Sequence, residues 1–237
     1  MQFFNDWFHL FIVCGRFGYT IIKLKDGTEK WIRLIQGTRV FDIQKVEDSF
    51  RNVPNFEFYP SSFAPVIHSE EKGEWNLLEP MQWGIQPEWS PKPIFNTRVE
   101  RLFTTPFWYA AAKSNRCIIP ASFFNEWKSE KGTKIKYKIS PASGESFCFA
   151  GIYGVIPNQK SKTYWFSILT QEGNSLMKEI HNSGGNQGRQ PVHLMEDSWE
   201  SWLDRKLIEE TKILNLIQTY PNEFLKAEPE SLEPMLF

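Results

Sequence analysis

Short strand-like runs separated by turn residues recur along the whole chain and narrow its fold more than any other property. Alternating or β-branched stretches lie near residues 17–24, 31–35, 64–68, 75–83, 116–119, 133–139, 147–153 and 163–170, with clear turns at KDGT and EKGT. Helical signals are fewer. TTPFWYAAAKSN carries Thr105 before Pro106 as a start signal, NSLMKEI covers 174–180, and EDSWESWLDRKLIEETKILNLI predicts two helices near the end. Strands do not alternate regularly with helices and no repeat is present, so the expected architecture is one α+β domain built on antiparallel strands with peripheral helices.

The 237 residues suffice to bury a core without disulfide help, and 41% of them are hydrophobic. Three widely spaced cysteines, Cys14, Cys117 and Cys148, fit neither a disulfide framework nor a zinc site, so a reducing cytoplasm is expected and no metal or cofactor. The first twelve residues are apolar, but they carry no Lys or Arg and no small-residue cleavage site follows, which argues against a secretory signal. No apolar run approaches the roughly 20 residues that span a bilayer, so no membrane partner is expected. A net charge of −1 offers no long-range attraction to duplex DNA, which leaves a local basic groove as the means of holding nucleic acid. The 20 Phe and 10 Trp exceed what a core of this size usually needs, so a few aromatic rings are candidates for stacking on bases.

Four segments combine reactive side chains with Pro, Gly or aromatic neighbours: CGRF at 14–17, FNTRVE at 95–100, RCIIPASFFNEWK at 116–128 and EIHNSGGNQGRQPV at 179–192. A cysteine, a glutamate and a histidine in one pocket would supply a nucleophile and two proton-transfer groups. In this order, and with QWGIQPEW between the first and second, the segments resemble the SOS response-associated peptidase (SRAP) family, whose members process abasic sites in single-stranded DNA. The resemblance runs from Cys14 to about Leu194. It implies a barrel-like SRAP domain over 14–237, a monomer, and single-stranded DNA containing abasic sites as the partner.

Carried over by position, the resemblance makes Cys14 the nucleophile. A free α-amine and thiol on one residue suit an aldehyde: the amine forms an imine and the sulfur closes a thiazolidine. With an α-amino pKa of about 7.7 to 8.0, roughly a tenth to a fifth of the amine is neutral at pH 7. Glu126 then handles protons during sugar ring opening, His181 is the second acid/base group and Asn96 orients the cysteine. Arg16 and Arg98 resemble arginines that grip flanking phosphates, and Trp83 resembles a base-stacking wedge. Glu100 reads as structural, and Arg189 receives no phosphate role.

Several positions depart from the pattern. Phe123 stands where glycine is usual and Asn125 where an aromatic is usual, so a different local turn is expected before Glu126. A Gly-rich insertion separates His181 from Arg189 and Pro191, and the tail after Leu203 matches no family segment, which suggests a shortened closing strand. Thirteen residues precede Cys14 where the family has only the initiator Met. Three arrangements are open: initiation at Val13 through a GTG codon, self-removal of the leader by Cys14 attack on the Val13 carbonyl, or a retained leader that leaves no α-amine. Two other uses of the same residues also stand, a Cys/His/Glu peptidase acting on other proteins and a non-catalytic reader of damaged or modified single strands.

Overall fold

Alternation of side chains is clearest in the strand TKIKYKISP, where Ile139 is fully buried and Lys134 exposed. The computed structural model describes residues 15–18, 22–23, 29–30, 57–69, 75–144, 147–157 and 162–230. The strands are β1 (Arg16–Gly18), β2 (Ile22–Lys23), β3 (Glu29–Lys30), β4 (Glu57–Phe58), β5 (Phe63–Ser69), β6 (Trp75–Trp83) and β7 (Asn96–Arg98). Then follow β8 (Arg116–Ala121), β9 (Phe123–Glu130), β10 (Thr133–Pro141), β11 (Phe147–Val155), β12 (Tyr164–Glu172), β13 (Arg189–Pro191) and β14 (Leu225–Pro229). The helices are α1 (Pro106–Ser114), α2 (Ser175–Ile180), α3 (Trp199–Leu203) and α4 (Glu210–Leu214).

Strands β11, β8, β5, β6 and β12 pair in that order, and β12 pairs back to β11, so these five close into a barrel. Closure removes the exposed edges that a sheet of buried strands would otherwise present. All its pairings are antiparallel except β12 with β6, and β12 also carries β7 in parallel and β13 antiparallel on its length. A second sheet runs β14-β10-β9-β1-β4. The two are joined at Ser122, a one-residue corner between β8 and β9 whose N–H donates to Gly18 O at 2.7 Å. The EKGT turn closes β9 onto β10 with Lys131 at φ 49° and Gly132 at φ 85°, the left-handed pair that a tight hairpin requires.

Expectation and structure agree over β5, β6, β8, β10, β11 and β12, over α1 and α2, and over two helices in the tail. The strand expected at 31–35 lies outside the described residues. FFNEWKSE, not read as a strand, forms β9. The tail supplies a closing strand of five residues, β14, which pairs with β10 from Tyr137↔Pro229 to Pro141↔Leu225.

The core where the sheets meet is aromatic. Phe17 of β1 lies 5.1 Å from Trp83 and 6.3 Å from Phe149, and Phe124 of β9 lies 6.0 Å from Phe149. His193 is sealed beside them, 5.2 Å from both Phe149 and Tyr220, and full burial pulls its pKa down to about 3. The unfolded imidazole protonates near 6.5 while the folded one resists, so the unfolded state binds more protons over that interval. Stability is therefore expected to fall from about pH 6.5 toward 3, with a slope from this group of up to about 1.4 kcal/mol per pH unit. His193→Phe should flatten that slope in denaturant titrations at pH 7, 6 and 5.

Candidate active site

Strand β9 holds Glu126 with only 3% of its surface exposed. The strand is flanked by β10 along its length, but β1 pairs only with its start, at Asn125, Phe124 and Phe123. Past that point the side-chain amide of Asn182 docks on the backbone of β9. Its Oδ1 accepts Ser129 N–H at 2.8 Å and its Nδ2 donates to Ser129 O at 3.0 Å. Lys128 Nζ reinforces the joint by reaching Glu179 at 2.7 Å. The end of α2 is thereby clamped to the strand that carries Glu126.

His181 caps α2. The helix starts at Asn174, whose Oδ1 accepts Met177 N–H at 3.0 Å, and its buried Met177 and Ile180 fasten it to the core. His181 Nε2 stands 4.0 Å from Glu126 Oε1, with both side chains buried. On the other side of the ring, Nδ1 lies 3.4 Å from Arg189 O. A carbonyl can only accept, so that bond places a proton on Nδ1 and turns Nε2 toward Glu126 as the basic atom. Burial lowers the His181 pKa and outweighs the Arg189 carbonyl, so the ring is neutral at pH 7. Glu126 Oε1 also accepts Trp127 N–H at 3.3 Å. A carboxylate and a neutral imidazole facing each other can pass one proton between them through a bound hydroxyl.

The Gly-rich insertion closes on itself before Arg189. Gly188 N–H donates to His181 O at 2.7 Å and Gly188 O accepts Gly173 N–H at 2.7 Å, so the loop is pinched shut at its base. Gly188 makes this turn at φ 67°, where a side chain is strained. Arg189 then donates from Nη1 and Nη2 to Glu100 at 3.1 and 2.9 Å, and from Nη2 to Thr170 O at 2.7 Å. Burial raises the Glu100 pKa, but the Arg189 fork prevails and holds the carboxyl below its usual value.

The remaining residues singled out from the sequence are distributed around this pair. Cys14 lies outside the described residues; Gly15, next in sequence, is buried, and Arg16 pairs with Asn125 of β9. The Arg16 guanidinium stands 4.7 Å from the Tyr59 ring and 5.6 Å from the Trp127 ring, with Glu57 Oε2 at 4.0 Å. Asn96 and Arg98 lie on β7, in the barrel sheet, with Asn96 half-buried and Arg98 exposed. Arg98 Nη2 donates to Asn186 Oδ1 in the loop that springs from His181. The structure thus joins Glu126 directly to His181 and links Arg98 to the same segment.

Trp83 requires correction. It is fully buried, stacked 6.3 Å from Phe166, with Nε1 donating to Phe95 O at 2.9 Å. Alternation along β6 turns Trp83 inward with Met81, so the ring has no face for a base and serves the core. Trp89, six residues on in the same segment, is the open ring: it is 59% exposed, with its centroid 5.8 Å from that of Phe107 and the two planes steeply inclined. The departures at Phe123 and Asn125 are absorbed within β9. Lys138 Nζ sits 4.5 Å over the Phe123 ring, and Asn125 Nδ2 donates to Glu57 at 2.7 Å.

Sequence reasoning also passed over Asn182 and Glu57. The signal for the first was its place beside His181; for the second there was none. Asn182→Ala is expected to slow any reaction that uses the Glu126–His181 pair about 10-fold, because the pair loses its spacing. The thermal midpoint should drop only about 2–4 °C, since exposed hydrogen bonds contribute little. The lower limb of the pH–rate profile should move up toward an ordinary imidazole's 6.5 as His181 gains solvent. Melting curves and rates at several pH values check this.

The sequence model of the SOS response associated peptidase (SRAP) family matches residues 13–232. The chain belongs to the SRAP family. Among its SRAP relatives, the abasic site processing protein YoqW of Bacillus subtilis (strain 168) is 31% identical over 186 residues, covering 74% of this chain and 80% of YoqW. YoaM of the same strain, also called an abasic site processing protein, is 31% identical over 194 residues, covering 79% and 82%. The SRAP fold also resembles the crystal structure of a protein from Bacteroides thetaiotaomicron, with a TM-score of 0.67 at 23% identity over 79% of this chain and 83% of that one.

Proposed function

We propose that this protein processes abasic sites in single-stranded DNA by forming a covalent adduct through Cys14 as the mature N-terminal residue. The observation that carries the reading is the buried Glu126–His181 pair, 4.0 Å apart on β9 and at the end of α2, with β9 paired to β1, which begins two residues after Cys14. Its chemistry suits a lesion that is mostly a closed hemiacetal. One member of the pair takes the proton of the C1′ hydroxyl while the C1′–O4′ bond breaks, and that same proton, passed to the other member, is delivered to O4′, which yields the aldehyde and a 4′ hydroxyl.

The neutral α-amine of Cys14 then adds to C1′ and the carbinolamine loses water to give an imine. The thiol adds across C=N, its proton passing to nitrogen, and the ring closes as a thiazolidine with one water released overall. Asn96 holds the cysteine for attack, and Arg16 and Arg98 bind phosphates of the strand. The amine is freed by initiation at Val13 followed by excision of the initiator Met, or by self-cleavage of the Val13–Cys14 bond, and the second route is the peptidase activity. The protein acts as a cytoplasmic monomer on this reading.

Borohydride trapping tests the order of bonds. With Cys14 confirmed as the N-terminus, wild type should give an adduct with an abasic oligonucleotide that survives heating without reductant. Cys14→Ser keeps the amine, and should give an adduct that survives only after borohydride reduction. A heat-stable adduct from Cys14→Ser without reductant would contradict thiazolidine closure. Turnover of peptides in trans would point instead to a peptidase acting on other proteins.

A further inference from the structure

Unlike Asn182, which holds the Glu126–His181 spacing, residues 183–187 have no part in the chemistry above, yet Asn186 in this loop is bound to Arg98, assigned above to a phosphate. Pinched at Gly188, the loop carries Asn186 across to Arg98, and between them and Lys178 lies an open cleft of about 590 Å³. The charges around it are unequal. Lys178 faces Glu172 at 2.5 Å and Arg189 is forked on Glu100, so two of the three cations have a carboxylate partner at salt-bridge distance. Arg98 instead hydrogen-bonds a neutral amide oxygen, and feels Glu100, which is forked by Arg189, only through space.

That difference matters for anions. A carboxylate at position 186 would cancel the guanidinium's charge, whereas an amide fixes its orientation and leaves the charge in place. The other half of the same amide is a donor, of the same sense as the guanidinium N–H groups. Arg98 shares its strand with Asn96, and the cleft is lined by Asn182, next to His181 in the chain, and by Arg189, whose carbonyl lies 3.4 Å from His181 Nδ1.

We propose that loop 183–187 and Arg98 form an added anion subsite that takes a phosphodiester of the strand flanking the reacting sugar. Asn186 positions Arg98 and shares the phosphate with it. The inference rests on the single-stranded DNA reading above and extends it to a segment that departs from the family pattern.

Anisotropy of a labelled, undamaged single-stranded oligonucleotide titrated with the whole chain at several salt concentrations tests it. Asn186→Ala should weaken binding about 2- to 10-fold, the effect of one lost hydrogen bond. Asn186→Asp should weaken it further and reduce the salt slope by about 0.7, the value for one phosphate contact on a single strand. Unchanged affinity in both variants overturns the subsite. Tighter binding by Asn186→Ala overturns it too, and would make the loop an occluding lid; so does a wild-type chain that binds no single strand. In parallel, intact mass of wild type after exposure to 2-deoxyribose reports on the aldehyde chemistry alone. A missing adduct there counts against the abasic-site reading, while the anisotropy still decides the loop.

Discussion

Glu126→Gln is expected to slow adduct formation about 10²- to 10⁴-fold, the usual contribution of a positioned acid/base group. The amide keeps the size and the acceptor of the carboxyl but cannot exchange a proton with His181, whose Nε2 stands 4.0 Å from the native Oε1. DNA affinity should change little, because Glu126 is 3% exposed and offers no surface to a phosphate. The pH profile separates the groups. Wild-type rate should fall first as the Cys14 amine protonates below about 7.7 to 8.0. A second fall should appear below the ordinary imidazole value, because burial lowers the His181 pKa. His181→Ala should lose this second limb and keep the first. Single-turnover rates from pH 5 to 9 with an abasic oligonucleotide measure all three proteins.

Arg116→Ala is expected to cost about 3–5 kcal/mol of stability, the range for breaking a buried, hydrogen-bonded charge. Arg116 begins the RCIIP segment and is 3% exposed. Its guanidinium donates to four backbone carbonyls: Trp202 O at 2.7 Å, Ala112 O at 2.8 Å, Lys113 O at 2.6 Å and Asp204 O at 2.5 Å. Two belong to the end of α1 and two to the end of α3 and the residue after it, so one side chain satisfies carbonyls that helix ends leave open. Burial lowers its pKa to about 10, which still leaves it charged at neutral pH. Arg116→Lys should recover only part of the loss, since a single ammonium cannot span four acceptors in a fixed fork. Urea denaturation midpoints compare the three proteins, and an Arg116→Ala loss below about 1 kcal/mol would contradict this account.

The sequence revealed strands where turns bound them or side chains alternate, as in β10, whose inward Ile139 and outward Lys134 differ in burial. It concealed β9, because Phe124, Asn125 and Glu126 are buried in succession and erase the period-2 signal. Tertiary packing accounts for this: the two faces of β9 are covered by different partners, the aromatic core on one and Glu57 on the other. The ordered motifs identified Glu126 and His181 as candidates, but their approach depends on Asn182 gripping Ser129, which no spacing announces. Trp83 failed for the opposite reason. A tryptophan before glycine in a family-like segment reads as a wedge, and only its packing between Phe17 of β1 and Phe166 of the barrel shows it to be core. The insertion separates His181 from Arg189 in sequence, and Gly188 N–H closes it back on His181 O with one backbone hydrogen bond.

The most direct measurement is the intact mass of protein bearing Cys14 at its N-terminus after incubation with a single-stranded oligonucleotide containing one abasic site. The account predicts a heat-stable species whose mass is the sum of protein and DNA less one water, absent when Cys14 is replaced by alanine. Protein recovered at its unmodified mass, from a sample shown to bind the same strand, would contradict it.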